Sequence, residues 1–592
     1  MITSHAPPAK EATGEPTAAT RHLCTGVYVD ERFRDLVIKE VCTTPHRRVA
    51  PSYGFDIVPV MRHAWRAAAL TASVRMAVVG AVVVPTLAGA LPAALLIACG
   101  LALLWLLHLT TLVREMEREM EREPASRRKS ERRGLGPVLG RRPRRLATLL
   151  LPQTLLLLRR KAEKARARKR LGAIALSLTL TALTIALLHP GHAVSALRVA
   201  VGIALLCLAV GASRQLILNR ILCTPRLRPV RLSRREHAAD IQQEHVCAVY
   251  RRPRHSEDDE DDLTRFTLFG EESPFIGAGE LVYQWNPPMS IQLLRPSEEE
   301  DTPLHELEHP VPPFQAHELV DYLREAVQLL DTDEQDVRLP AQVRDRVYIA
   351  ETDVAVDRAL LPSEFSAAEL RAIIDTPGSK QHHFLEVITP AEGSEFVATV
   401  LLHVSLQGRT LSISTAACVL AHTPRSFQRT AEFGHHGAIA VLWAALRELA
   451  ALPSEIHRSW RVAHYLYTVG KAAVLPRDLT STPIRNVLIG SRLSVREKSA
   501  QAWSKIQLEK SDILGRMKTI EQRLLHAAGD FLYSKDVDIS EFNSRALKII
   551  NSGIFSFGDN NSFNNNAVGN AAQVGADASQ PAGPHHSSGE SQ

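Results

Sequence analysis

Two stretches of this chain are apolar at nearly every position. Met76–Val113 (MAVVGAVVVPTLAGALPAALLIACGLALLWLLHLTTLV) is too long for one membrane span and close to the length of two, because one span takes about 20 residues. Pro92 falls where the two would turn. Leu171–Ser213 repeats the arrangement, and HPGH at His189–His192 divides it. Uninterrupted apolar runs of this length predict four transmembrane helices in two hairpins rather than a soluble core.

From Arg214 onward the pattern becomes that of a water-soluble fold. TRFTLFG and LVYQWNPPMSIQLLR alternate apolar and polar residues and predict strands, with Pro287–Pro288 making a bend or an edge. HFLEVITP, EFVATVLLHVSLQG and RTLSISTAACVLAH predict three more, with Gln407–Gly408 at a tight turn. Ala316–Leu330 has helical spacing, and Ser366 and Glu369 form a capping box before another helix. Together they predict a mixed α+β domain with an antiparallel sheet. His435–Leu452 is apolar and helical but short, with Arg447 and Glu448 near its end; it is expected to pack on that domain or on the membrane surface. Trp503, Ile506, Ile513, Met517, Ile520 and Leu524 follow a spacing of fours and threes. Two readings fit it, a short coiled-coil seam and one amphipathic helix lying on its own domain.

The fold class expected is therefore an α+β membrane protein: four transmembrane helices in two hairpins, a cytosolic mixed α/β domain, a C-terminal helix and a short β-prone repeat tail. In chain order, residues 1–20 are disordered, 21–66 form an N-terminal cytosolic helical segment, and 67–113 form the first hairpin. A basic helical linker (114–170), the second hairpin (171–213) and a juxtamembrane stretch (214–229) follow. The α+β domain takes 230–425, helical segments take 426–490 and 491–547, the tail motif takes 548–577, and 578–592 are disordered.

Charge orients the spans. The 592 residues carry 70 Lys and Arg against 64 Asp and Glu, a net of only +6. Residues 114–170, however, hold 20 Lys and Arg against seven Glu, a local net of about +13. The positive-inside rule places that linker, and with it both termini, on the cytosolic side. REMEREMERE at Arg114–Glu123 has opposite charges three and four apart and suits a solvated helix. Arg127, Arg128, Lys129, Arg141, Arg142, Arg144, Arg145, Arg159, Arg160 and Lys161 would lie against anionic headgroups, each contributing about 1 kcal/mol near the surface. Leu146–Leu158, between basic clusters, fits an interfacial helix or a buried loop helix. No interleaved aromatics or reader motif points to nucleic acid. The ionisable residues nearest the spans, Arg75, His108 and Arg198, sit near span ends, so the spans read as anchors rather than a transport path. Gly80, Gly89, Gly100 and Gly202 would allow close helix packing or oligomerisation.

Candidate chemistry is sparse. HELEH at His305–His309 has the HExxH spacing that places two imidazoles on one helical face. Pro310 follows directly, and a residue before proline is pushed out of the helical region, which argues for a linker. DTDEQD at Asp331–Asp336 lacks the glycine and distal Glu of a calcium loop. There is no GxSxG or phosphate-binding loop, and FIGAGE is not a dinucleotide fingerprint. The seven cysteines are scattered without a CxxC pair and read as reduced thiols. Met1–Arg32 is polar, so no signal peptide is expected there. No catalytic, metal or cofactor-binding residue is assigned, and a non-enzymatic protein is expected.

Five stretches, RHLCTGVYVDERFRD, VAPSYGFDIVPVMRH, PFIGAGELVYQW, HVSLQGRTLSI and FLYSKDVDISEFNSRALKIINSG, together resemble an uncharacterised family of actinobacterial multi-pass membrane proteins. The resemblance runs across most of the chain. It implies a bacterial cell (inner) membrane with both termini cytoplasmic, together with the architecture above, and carries over no catalytic residue. It also implies a Gly/Asn/Val-rich tail after the final helix, similar to amyloid-type signalling tails that nucleate one another.

That tail, cut in sixes from Ser552, reads SGIFSF, GDNNSF, NNNAVG, NAAQVG. Phe557 and Phe563 are six apart, as are Val568 and Val574. A six-residue period is the rhythm of a β-helix or β-arch stack. Ile554, Phe557, Phe563, Val568 and Val574 would point inward, and Asn560, Asn561, Asn564, Asn565 and Asn566 would supply turns and stacked amide ladders. So few blocks cannot bury their own apolar face, so a folded tail would need other copies; a solvated disordered tail is the other reading. Three functions follow. The first is a scaffold or signalling adaptor that self-associates through this tail, as a homo-oligomer or with a partner bearing a similar tail. The second is a membrane-perturbing effector in which tail assembly drives Leu146–Leu158 and His435–Leu452 into the bilayer. The third is a metal-dependent hydrolase at HELEH.

Overall fold

A computed structural model describes residues 15–131, 172–250, 275–285, 287–296, 303–331, 339–362, 364–390, 395–433, 437–474, 489–491, 493–506 and 509–551. Two compact units emerge: one from residues 1–63, 224–429 and 475–592, the other from 64–223 and 430–474.

The first unit is mixed α+β. Its sheet has seven strands among the described residues: β1 (Cys247–Tyr250), β2 (Glu280–Gln284), β3 (Met289–Gln292), β4 (Gln342–Ala350), β5 (Gln381–Pro390), β6 (Val397–Gln407) and β7 (Thr410–Leu420). The order is β1-β4-β5-β6-β7-β2, with β3 also on β7. All pairs are antiparallel except β1 with β4. The β6–β7 hairpin turns at Gly408–Arg409, since Gln407 pairs with Thr410 and Gly408 holds φ +60°. Pro287–Pro288 separates β2 from β3, which take successive halves of the long β7. TRFTLFG lies outside the described residues.

One face of the sheet carries α9 (Ala316–Gln328), α16 (Glu509–Ser534) and α17 (Ser540–Asn551). Leu319, Leu323 and Val327 of α9 and Met517, Ile520 and Leu524 of α16 share a core with Val387, Val400 and Leu402. This decides between the two readings of the heptad spacing. Ile513, Met517, Ile520 and Leu524 are buried within the chain, while Trp503–Lys505 form a separate 3-10 turn and Ile506 is extended. The seam is an amphipathic helix lying on its own sheet, not a coiled coil. Ser366 and Glu369 cap α11 (Ala367–Asp375) reciprocally, as expected.

The opposite face is covered by the chain ahead of the apolar helices. Tyr53 and Phe275 pack there with Tyr348, Phe384, Leu401 and Cys418. Helices α1 (Ala18–Val29) and α2 (Glu31–Val37) belong to this unit, and Gly26 is where α1 meets Phe427 of α12 (Arg425–Phe433): a Cβ there would stand 2.5 Å from the ring. The glycines of FIGAGE allow the backbone a close approach. Gly279, at φ +101°, lies so close to β7 that a Cβ would sit 2.1 Å from the Val419 carbonyl oxygen.

The second unit is built of helices among its described residues. It holds the distal part of α3 (Ile57–Leu87), with α4 (Leu91–Glu131), α5 (Gly172–Leu188), α6 (Pro190–Cys223), α13 (Gly437–His457) and α14 (Arg461–Val474). Among the described residues, four segments are long and apolar enough to cross a membrane: Ile57–Leu87, Leu91–Thr111, Pro190–Cys223 and Gly437–His457. Helices pair at both expected places, turning at residues 88–90 and at His189, but Gly172–Leu188 is a shorter apolar helix and the fourth candidate is Gly437–His457, which was not expected to be one. One expectation changes: the helix at 437–457 belongs to this unit, where it packs on α6 and α4. The close approach comes at Gly211, where a Cβ would meet the Ala444 carbonyl at 2.6 Å, whereas Gly80, Gly89, Gly100 and Gly202 have nothing within 4 Å.

Candidate functional site

The last described helix, α17, ends at Asn551, where the tail begins. Its seat on the α+β unit is the root of the tail, and it is built from four strata of the chain. Arg545 of α17 donates to the Ser290 carbonyl of β3 at 2.5 Å, and Lys518 of α16 donates to the Ile549 carbonyl at 3.3 Å. Phe542 is 1 % exposed and lies over Gly529, so α16 and α17 close on each other where one side chain is missing. Lys518 also pairs with Glu521 at 2.6 Å, and Glu521, itself 1 % exposed, accepts from the Trp285 indole at 2.7 Å. Burial and the neighbouring Glu521 push the Tyr283 phenol well above its ordinary value.

The turn between α16 and α17 explains what HELEH does. The amide of Val537 donates to Leu532 and that of Asp536 to Tyr533, and Asp536 takes φ +59°. This is a Schellman ending with Asp in the left-handed position usually held by glycine. His309 places its Nε2 3.2 Å from the Asp536 carbonyl oxygen, and Asp538 donates to the Leu294 carbonyl at 2.8 Å. Helix α8 is one turn, Leu304–Leu307, and Glu308 is already extended and paired to Arg409. His305 is exposed while His309 is buried, so the two imidazoles share no face. Among the described residues, no group of three His, Cys, Asp or Glu is placed to hold a metal.

Two further clusters escaped the sequence reading. Glu386, fully buried on β5, accepts from Tyr53 at 2.7 Å, Tyr348 at 2.9 Å and Arg346 at 3.1 Å. Burial, then the Glu386 charge, raises both phenols. With all four side chains at most 2 % exposed, this cluster ties the N-terminal segment to the middle of the sheet. The signal was a carboxylate at an inward position of HFLEVITP. Beside it, Arg496 reaches the carbonyls of Tyr53 and Glu395, each at 2.7 Å, and burial brings it down to about 9. Burial also lifts Glu497, which accepts from the Gly277 amide at 2.9 Å, to about 7.

In the helical unit, Arg75 of α3 pairs with Glu455 of α13 at 2.7 Å, and Arg214 of α6 pairs with Glu448 at 2.9 Å. The signal was two carboxylates seven apart in an apolar helix, which places them on one face. Arg75 is therefore a buried partner of a second helix rather than a snorkelling end residue.

The residues expected to drive self-association (Ile554, Phe557, Asn560, Asn561, Phe563, Asn564, Asn565, Asn566, Val568 and Val574) lie outside the described residues. So do Arg141, Arg142, Arg144, Arg145, Arg159, Arg160 and Lys161. Arg127, Arg128 and Lys129 lie on the distal part of α4, whose side chains are not described.

Residues 284–564 match the family model of the AbeC-like domain. The match, a little under half of the chain, runs from β2 through α17 and into the tail, and it includes α13 and α14. No curated protein and no solved structure matches the chain.

Proposed function

We propose that this chain is a multi-pass membrane scaffold or signalling adaptor that self-associates through its Asn-rich tail. The observation that carries this reading is the root. Helix α17 is fixed to β3 and α16 by Arg545, Lys518 and Phe542, directly ahead of the tail in the chain. A β-prone segment of one and a fraction coils needs neighbours to bury its apolar residues, and a rigid root limits the conformational freedom lost when copies meet.

The two helical hairpins anchor the protein in the cell membrane of an actinobacterial host, with the basic 114–170 linker and both termini on the cytoplasmic side and its cations against anionic headgroups. The membrane-perturbing alternative requires α13 to be released into the bilayer. Its carboxylates Glu448 and Glu455 are engaged with Arg214 and Arg75, which favours the scaffold.

The test compares the full chain with a version lacking residues 552–577, both in nanodiscs. Self-association that binds thioflavin and gives a spacing of about 4.7 Å, lost on deletion and in Val568→Pro/Val574→Pro, supports the proposal. Association unchanged by the deletion overturns it.

A further inference from the structure

We propose that α14, Arg461–Val474, is a lipid-contacting helix lying in the headgroup layer, and that α13 does not cross the bilayer despite its length. The inference rests on the reading of the α3/α4 and α5/α6 hairpins as spans.

Parity of crossing is the first argument. After α14 the chain returns to the α+β unit: Arg48 donates to the Ile489 carbonyl at 2.9 Å, and Ser491 donates to the Arg48 carbonyl at 3.0 Å. The chain that precedes α13 belongs to the same unit. Both ends of the α13–α14 excursion are therefore on one side of the membrane, and a single crossing by α13 would separate them. Helix α14 has 14 residues, about 21 Å, too short to carry the chain back through about 30 Å of hydrocarbon. The intervening sequence, LPRDLTSTPIRNVL, is too polar to do so.

Depth is the second. The Trp105 indole donates to His457 Nδ1 at 2.9 Å, and the two rings stack 6.3 Å apart. Trp105 lies fourteen residues along α4 from the outer turn at Leu91, about 21 Å down the helix. The last turn of α13 therefore stands in the cytoplasmic third of the bilayer, and α14 begins four residues later, close to the interface.

The third is the surface of α14 itself. Arg461, His464, Thr468 and Lys471 form one stripe at helical spacing. Val462, Leu466, Val469 and Ala473 form the opposite one, flanked by Tyr465 and Tyr467. Leu466 is 53 % exposed, Tyr467 67 %, Val474 84 %, and Trp460 at the turn into the helix 70 %. The apolar helices of the same unit leave side chains exposed to the same degree, Leu205 at 60 % among them. One solvent, lipid, accounts for both. A basic stripe over an aromatic and aliphatic face is the composition of an interfacial helix.

The experiment places a ketone-bearing residue for spin labelling at Leu466, Lys471 or Val201 of the full chain, in nanodiscs of phosphatidylethanolamine and phosphatidylglycerol. Val201, 49 % exposed, lies eleven residues along α6 from Pro190, about 16 Å from the outer turn and near the middle of the hydrocarbon. Collisional relaxation by oxygen, which enters lipid, is compared with relaxation by a water-soluble nickel chelate. The expected result is oxygen-dominated and deep at Val201, oxygen-dominated and shallow at Leu466, and nickel-dominated at Lys471. A Val201 label in lipid with Leu466 open to nickel, or closed to both reagents as under a second copy or another protein, overturns the proposal while the spans stand. Nickel access at Val201 overturns the spans and the proposal with them. A Leu466 label that behaves as deep as Val201 also overturns it, since α14 would then be inserted rather than interfacial.

Discussion

The hydroxyl of Tyr53 donates a 2.7 Å hydrogen bond to the carboxylate of Glu386, 333 residues further along the chain. The segment that leads into the first apolar helix is thereby fastened to the middle of a sheet made after the last of the hairpins. Arg496, later still, holds the Tyr53 carbonyl from the same side. The α+β unit is assembled from three separate passes of the chain, and its polar centre joins them.

Because Glu386 is fully enclosed, its three donors are not interchangeable with water. Tyr53→Phe is expected to cost about 1.5–3 kcal/mol, the value of a hydrogen bond to a buried charge. Glu386→Leu should cost about 3–5 kcal/mol, because it leaves Arg346 charged and enclosed. In the Glu386→Leu background the Tyr53→Phe change should become nearly silent. Urea titration of the four proteins in detergent measures the cycle, and additive losses would show that the cluster does not act as a unit.

Glu497 predicts a pH dependence of definite sign. Burial raises its carboxyl from 4.5 to about 7, so the folded state holds a proton that the unfolded chain has already released across that window. Stability from this group is greatest below 4.5 and falls as pH rises through about 7. Glu497→Gln keeps an acceptor for the Gly277 amide and cannot ionise. Its melting temperature should exceed that of the parent above pH 7, with the gap closing toward pH 4.5. Parallel melting curves at all pH values would contradict this origin.

The Arg75–Glu455 pair ties α3 to α13 inside the helical unit, with side chains only 7 % and 13 % exposed. Glu455→Ala should destabilise that unit by about 3–5 kcal/mol, since a buried cation loses its carboxylate. The exchange Arg75→Glu/Glu455→Arg should recover part of the loss where either single charge reversal does not. Thermal unfolding in detergent, followed at the helical signal, separates these outcomes.

At the root of the tail, Asp536 occupies a left-handed position, φ +59°. Asp536→Gly relieves the Cβ penalty and should stabilise the α16–α17 turn by about 1 kcal/mol. His309→Ala removes the imidazole that meets the Asp536 carbonyl and should loosen α17, raising amide exchange over residues 540–551 more than in α9. Equal protection in both helices would mean that α17 is held by its packing alone.

Local periodicity by itself determined the two apolar hairpins, the β6–β7 turn at Gly408, the Pro287–Pro288 break and the Ser366–Glu369 cap. Each depends on neighbours within a few residues, and spacing records such neighbours. The parallel edge of β1 on β4, the N-terminal cover of the sheet, the inward Glu386 and the ion pairs of α13 were decided only by tertiary structure. Their partners come from 40 to nearly 400 positions away, and no period along the chain marks a contact made across it. The heptad spacing of Ile513, Met517, Ile520 and Leu524 shows the limit most plainly. An amphipathic stripe states that a face will be covered, and only the sheet beneath it settles by what.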